Sequence, residues 1–396
     1  MAELSFNDLG FENCGDRVKV SFLKLYYFFI SKDDLEKASN ISVEGNKITF
    51  HSLSHDKAEK LFMKLLVRNF ANLTNKVTEN PTFYIHKNSG IPLIGSLSFG
   101  IVDKGTMFLE VKPFSGCNAD CIFCSVDEGP SSKKILDIVV EKDYLVDEVC
   151  KLLDYKKKPA HIYINPQGEP LLYPEIISLV KGLSGLKYAE KVIIITNGTL
   201  LTRKLGDELN SAGVSSLNIS LHSLDPERAK QLFNMKGYNV GRIKEVLEYL
   251  KGKVEIILAP VLLKGMNEKD VEEIVAYGKT HGFSVNIQNF LHNNKGRNPV
   301  KEIDFDSFYS FLRKLEDKYS SKLILQGGIP ITKELPKPFR KGDIIEVEMA
   351  SKGRYKNEFI CFAKGRIITV YGEIGKNRTK IKITRDNHNV FYGVPA

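Results

Sequence analysis

Between about residues 105 and 326, short β-branched apolar runs alternate with longer segments of helical periodicity. That alternation restricts the fold more than any other feature of the chain. The strand candidates are Thr106–Val111, Ala160–Ile164, Val192–Ile195, Ser216–Ser220, Val254–Leu258, Val285–Gln288 and Leu323–Leu325. Their near-continuous apolar character suits strands covered on both faces. Helices are expected between them over Tyr144–Leu153, Pro174–Leu183, Arg203–Ala212, Pro226–Phe233, Arg242–Leu250, Lys269–His281 and Asp306–Tyr319. Asp225 before Pro226 is a favourable helix start, since proline lacks an amide hydrogen that would have no partner there. Asn267 and Asp304 are placed to cap in the same way. Strands and helices in this order imply a parallel sheet with helices outside. The run supplies roughly six βα units, too few for a closed eight-unit barrel. An α/β fold with a partial, open (βα)6 barrel over 105–330 is the expectation.

Two flanking regions differ in pattern. Residues 1–104 mix a β-like stretch (Val18–Ile30), a short strand (Lys47–His51) and an amphipathic helix (Asp56–Asn69), an α+β extension without evident chemistry. After Pro336-Lys337-Pro338 come Ile344–Met349, Glu358–Ala363, Arg366–Tyr371 and Lys380–Thr384, punctuated by glycines. Residues 337–396 therefore read as a small all-β barrel.

Six cysteines among 396 residues are too few for a disulfide scaffold. The start of the chain lacks a secretory pattern, and its apolar run near Val20–Ile30 is too short to span a bilayer. A cytoplasmic protein with no membrane association is expected. Cys14, Cys150 and Cys361 are isolated. Cys150, on a face with Val146 and Leu153, and Cys361, among Phe359, Ile360 and Phe362, read as small buried apolar residues. The remaining three fall within eight residues, as Cys117-Asn-Ala-Asp-Cys121-Ile-Phe-Cys124, just after the first strand. Three thiolates on one loop suit three corners of an iron–sulfur cubane and leave its fourth iron open. A structural zinc site would need a fourth ligand, and neither a second cysteine pair nor a nearby histidine supplies one.

This Cys-x3-Cys-x-aromatic-Cys motif, with Phe123 in the aromatic slot, resembles the signature of the radical S-adenosylmethionine superfamily. The resemblance covers about residues 105–326. Gly168-Glu169-Pro170 is similar to the family's glycine–glutamate motif, although Gln167 stands where many members have another glycine. Thr196-Asn197 and Ser220-Leu221-His222 resemble segments that hold the cofactor's ribose and carboxylate. The segment from Pro260 to Asn267, with Val261 and Gly265, resembles the one near the adenine. The resemblance implies a partial barrel of the radical S-adenosylmethionine type. It also implies a [4Fe-4S] cluster on Cys117, Cys121 and Cys124 and S-adenosylmethionine bound at Phe123, Gly168, Glu169, Thr196, Asn197, Ser220, His222, Val261 and Gly265. Reductive cleavage of the cofactor to a 5′-deoxyadenosyl radical follows, with electrons from a donor such as ferredoxin or flavodoxin. No residue is singled out as catalytic beyond these contacts.

What the radical acts on is less legible. From Ile331 onward there are fourteen Lys and Arg against seven Asp and Glu, so this sixth of the chain holds +7 of the total +9. The tail resembles a TRAM-type (OB/TRAM-like) barrel, the RNA-binding appendix of some RNA-modifying enzymes, and the Lys/Ile-rich, tryptophan-free composition resembles archaeal members of the superfamily. Basic charge interleaved with Tyr355, Phe362, Tyr371 and Phe391 can meet phosphates and stack bases. RNA, with tRNA favoured, is the expected partner. The alternatives are a protein, peptide or small-metabolite substrate, or a non-catalytic iron–sulfur protein that binds RNA. A methyl-carrying role for Cys361 would call for a second cysteine that the tail lacks.

Overall fold

In the computed structural model, residues 1–324, 327–375 and 378–396 are described. A seven-stranded sheet occupies the centre. Its spatial order is Ser284–Val285, Glu255–Leu258, Ser216–Ile219, Ala189–Thr196, Ala160–Ile164, Phe108–Lys112 and Gly100–Asp103. The first six run parallel, and Gly100–Asp103 closes the edge antiparallel, with Leu109 opposite Asp103. Ile162, Ile164, Ile194, Leu217, Ile219 and Leu258 are buried between this sheet and the helices that follow its strands. The expected six βα units are therefore present.

The local signals act as chemistry dictates. Asp225 accepts a hydrogen bond from Arg228 N at 2.7 Å and starts the helix Pro226–Phe233; Asp304 accepts from Ser307 N at 2.7 Å and starts Phe305–Tyr319. Asn267 does not cap its helix. Its amide is occupied by the preceding turn, accepting from Leu263 N and donating to Val261 O. Val285–Gln288 is divided, because Ser284–Val285 belongs to the main sheet while Gln288–Asn289 pairs separately with Val261–Leu262. The expected strand Leu323–Leu325 is a correction: Leu323 and Ile324 form no strand, and Leu325 lies outside the described residues. Cys150 is also not buried. Val149 takes the inward position, and the Cys150 Sγ lies 3.8 Å from Asp154 Oδ2 at the half-exposed side.

The N-terminal region carries two small sheets and the helix His55–Phe70. Val18–Ile30 is a hairpin, Arg17–Phe22 against Tyr26–Ser31, which turns at Leu23 and Lys24 with positive φ. Thr82–Ile85 pairs in parallel with Asp137–Val140, just beyond the cysteine loop, so this extension is stitched into the body.

The C-terminal strands close a five-stranded barrel in the order Ile344–Lys352, Glu358–Ala363, Arg366–Tyr371, Phe391–Pro395, Arg378–Arg385. Val347, Cys361, Ile368, Val370, Ile381, Ile383 and Phe391 fill it. Two of the four aromatics expected to stack bases are thus committed elsewhere: Phe391 is core, and Phe362 packs against the body. The barrel is joined to the body by main-chain bonds, Ile367 N to Ile94 O at 2.8 Å and Phe391 N to Gly95 O at 3.0 Å. A Cβ on Gly95 would lie 2.2 Å from Ile367 O, so only glycine permits that approach. Arg354, 1% exposed, crosses the same junction. Its guanidinium binds Glu128, Gln167 Oε1 at 2.8 Å and Asp137 Oδ1 at 3.3 Å.

Candidate active site

The cysteine loop leaves the sheet through Ser115–Gly116, which pairs in parallel with Gln167–Gly168. This pairing brings the two motifs together although they lie about fifty residues apart. Gly168 has φ of +149°, and a Cβ there would lie 1.9 Å from Gly116 O, so no other residue fits. Glu169 N then donates to Gly116 O at 3.0 Å.

Behind this pair opens a cavity of about 360 Å³ at the carboxyl ends of the strands, where open α/β sheets bind ligands. Cys117, Cys121, Phe123, Cys124, Gly168, Glu169, Thr196, Asn197, Ser220, His222 and Val261 all line it. Gly265 does not. It sits in an exposed turn with φ of +83°, its N–H donating to Glu268 Oε1 at 2.7 Å.

Glu169 is the best-organised group in the cavity. It is 2% exposed; Oε1 accepts from Thr196 Oγ1 at 2.5 Å and Leu171 N at 3.0 Å, and Oε2 accepts from Asn197 N at 2.7 Å. Burial pushes its carboxyl up to about 7, against the pull of these donors. Thr196 and the Asn197 main chain therefore hold the glutamate, and both residues line the cavity as well. The Asn197 side chain turns to the cysteine loop, Nδ2 donating to Asn118 Oδ1 at 3.0 Å and lying 4.0 Å from Cys117 Sγ. His222 is buried, and its Nδ1 accepts from Val261 N at 3.1 Å, which puts the ring proton on Nε2. Burial holds its pKa down at about 3, so the imidazole is neutral. Its ring meets Phe123 edge-to-face at 4.6 Å.

The three thiols are free, and burial raises Cys117 and Cys121 well above the ordinary thiol range. Among the described residues no three ligands converge on a single ion. Three thiols on one loop that line a single cavity suit three corners of a cubane. Amide donors face the sulfurs: Ala119 N is 3.5 Å from Cys117 Sγ and Glu128 N is 3.3 Å from Cys124 Sγ. Such donors stabilise ligated thiolates and tune a cluster. The residues present therefore fit a [4Fe-4S] cluster.

One clamp was missed in the sequence. Arg297, in the loop after the last sheet strand, binds Asp127 Oδ1 at 2.8 Å, Asp120 Oδ1 at 3.1 Å and Cys121 O at 3.1 Å, while its own N–H donates to Cys124 O. Neighbouring Gly296 allows the approach, since a Cβ would lie 2.8 Å from Cys124 O. The only local trace is a Gly-Arg pair in a polar loop, which does not name a partner. Asn289 was also missed; its Oδ1 is buried with no partner among the described residues, at a residue lining the cavity.

Comparison with known proteins agrees with this geometry. The Radical SAM superfamily profile matches residues 111–278. The chain is 33% identical over 390 residues to an uncharacterized protein of Methanocaldococcus jannaschii, covering 88% of this chain and 89% of that one. This chain belongs to the radical SAM superfamily. It is also 28% identical over 193 residues to GTP 3′,8-cyclase of Listeria monocytogenes, covering 46% of this chain and 54% of the cyclase. Among solved structures it resembles TYW1 with a lysine-pyruvate adduct bound, at 20% identity and a TM-score of 0.42, over 56% of this chain and 76% of that one. As a member of this superfamily it binds a [4Fe-4S] cluster and S-adenosylmethionine, and it requires an external reductant. No helix among the described residues is long and apolar enough to cross a membrane.

Proposed function

We propose that this radical SAM enzyme modifies a nucleotide-containing substrate, with RNA, and tRNA first, as the favoured form. The observation that carries the reading is the position of the basic C-terminal barrel. Arg354 fixes it against Glu128 of the cysteine loop and Gln167 beside the glycine–glutamate motif, so its tyrosine-bearing face adjoins the cofactor cavity. Several of the barrel's cations are used internally: Arg354 is buried, Arg378 pairs with Glu346 and Glu348, and Arg366 donates to Pro336 O. Lys337, Lys341, Lys352, Lys356, Lys364, Lys380 and Lys382 remain exposed for phosphates. A TRAM-like role for the barrel belongs to the same proposal.

When bound, the cluster and S-adenosylmethionine supply a 5′-deoxyadenosyl radical that takes a hydrogen atom from a substrate carbon. The chain's own groups orient that chemistry. Cys117, Cys121 and Cys124 would hold the cluster, and Gly168 lets the glycine–glutamate segment lie against Gly116 of the cysteine loop. Glu169, ionised against the cofactor's ammonium, fixes its methionine end. Neutral His222 holds the Val261 main chain, and Phe123 and Phe290 keep water from the cavity wall. Ferredoxin or flavodoxin is the proposed class of electron donor. A free nucleotide is the second reading, supported by the likeness to GTP 3′,8-cyclases over part of the chain.

The test is anaerobic reconstitution with dithionite and S-adenosylmethionine, following 5′-deoxyadenosine with no addition, with total RNA, or with nucleoside triphosphates. RNA stimulation that is absent in Cys121→Ala is the expected result. Stimulation by triphosphates alone would favour the second reading. Cleavage indifferent to both would refute a nucleotide substrate.

A further inference from the structure

A second cavity of about 340 Å³ lies beside the first, and Ser125, Val126 and Asn293 line both. Its size is within the range of small-molecule sites. Four parts of the chain wall it: the Leu97–Ser98 segment, the cysteine loop, the loop that carries Arg297, and the C-terminal barrel. Gln167, next to Gly168 and Glu169, lines it as well, so its floor is continuous with the cofactor motif.

The barrel's contribution is chemically distinctive. Tyr355, Tyr371 and Tyr392 all face this cavity, and the rings of Tyr371 and Tyr392 meet edge-to-face at 5.8 Å. Lys295 bridges from the opposite loop, bonding Glu358 Oε2 at 2.9 Å and the Tyr371 hydroxyl, with its ammonium 4.3 Å from the centroids of Tyr355 and Tyr371. That lysine is fully engaged. Arg385 is different. Its guanidinium lies 5.3 Å over the Tyr392 ring, and among the described residues no carboxylate pairs with it. A half-buried arginine with an open donor fork at a cavity wall is suited to a phosphate, which it can bind through two parallel bonds.

We infer that this second cavity is the substrate subsite and takes a nucleotide unit, its phosphate on Arg385 and its base among the tyrosine rings. Base–aromatic stacking tolerates any base, so the tyrosine ring surface that Lys295 and Arg385 leave uncovered supplies affinity. Gln167, Asn293 and Thr369 offer polar edges for selection. A nucleotide held here shares Ser125, Val126 and Asn293 with the cofactor cavity, which places it beside the site where the radical forms. The C-terminal barrel is then one wall of the active site as well as a surface for phosphates. The same chemistry can come from a free nucleotide or from a nucleotide extruded from RNA.

The assignment rests on the nucleotide reading of function, and its test separates the two. Binding of unfractionated tRNA and of a mixture of the four nucleoside 5′-monophosphates is measured on the anaerobic, cluster-loaded protein, in the wild type and in Arg385→Gln. Loss of a charge-assisted contact should weaken binding about 10–100-fold. Cluster content and S-adenosylmethionine affinity should stay unchanged, and Arg385→Lys should recover part of the loss. Weakened tRNA binding with indifferent monophosphates, or the reverse, supports the subsite and names the source of its nucleotide. Wild-type protein that binds neither probe overturns the nucleotide reading itself. Wild-type and Arg385→Gln proteins that bind equally well overturn the subsite alone, as does a variant that loses S-adenosylmethionine affinity together with substrate.

Discussion

Arg354→Met is the sharpest test of how the barrel is held. The substitution keeps most of the apolar stem and removes a guanidinium that is 1% exposed and bonded to Glu128, Asp137 and Gln167. Breaking one side of a buried ion pair costs about 3–5 kcal/mol, because the partner charge is left without compensation. Here compensation is partial. Glu128 retains Lys134, and Asp137 retains Asn75 at 3.0 Å together with the Thr78 hydroxyl. The expected loss is therefore at the lower edge, about 3 kcal/mol. It should fall on the docking of the barrel, since Arg354 is outside the barrel's own core. Native-state hydrogen exchange is the assay. Protection in Glu358–Ala363 and Arg366–Tyr371 should drop about 100-fold, while the Ile162 and Ile194 strands change far less. Arg354→Lys should recover little, because an ammonium cannot reproduce the fork that reaches Glu128, Gln167, Asp137 and Leu136 O. Unchanged protection in Arg354→Met would refute the claim that this ion network fixes the barrel.

Four further outcomes follow from the site. Gly168→Ala would drive a Cβ to 1.9 Å from Gly116 O at a φ of +149°, so S-adenosylmethionine cleavage should be abolished with the cysteine loop displaced, as circular dichroism of the cluster would register. Burial raises Glu169 to about 7, so the carboxyl is protonated below that pH and ionised above it. The ionised form attracts an ammonium, and S-adenosylmethionine affinity measured by calorimetry should fall up to about tenfold per unit as pH drops below 7. Thr196→Val removes a donor that favours the ionised form. It should weaken binding by about tenfold or more at pH 7.5 and move the pH midpoint upward. Cys361→Ala should leave 5′-deoxyadenosine formation intact and cost about 1 kcal/mol of stability, because burial in the barrel raises this thiol to about 12 and keeps it inert. Loss of activity in that variant with unchanged stability would revive a carrier role.

What the sequence made legible was local chemistry. Asp225-Pro226 fixed a helix start to the residue, and the apolar runs located five of the six parallel strands closely. The cysteine spacing, read with Gly168-Glu169, located the cavity. Features set by distant partners were hidden. The strand Phe391–Pro395 shows weak alternation because only Phe391 and Gly393 are buried, and it is defined by pairing with Arg366–Tyr371 and Arg378–Arg385. Val18–Ile30 contains no Gly, Pro, Asn or Asp to mark a turn, and its Leu23–Lys24 reversal was therefore concealed. Cys150 followed a helical face that in three dimensions centres on Val149. Arg297 and Arg354 both read as ordinary surface cations, since their acidic partners lie some 170 to 226 positions away in the chain. Thr196 shared a motif with cofactor contacts, and only the geometry assigned its hydroxyl to Glu169.

The bonds from Ile367 and Phe391 to Ile94 and Gly95 bear on how the protein is made. Chains emerge from the ribosome in order, and N-terminal domains fold first. The whole cofactor sheet is thus assembled before the strands that cover the Ser125–Val126 side of the cysteine loop exist. Iron and sulfide then have a shorter path to the cysteines through that flank during synthesis, and the docked barrel narrows it to the second cavity. Nascent chains stalled with residues 337–396 still inside the exit tunnel should already accept a cluster. Once the protein is complete, the barrel becomes the obstacle, so cluster-free wild type should reconstitute more slowly than Arg354→Met.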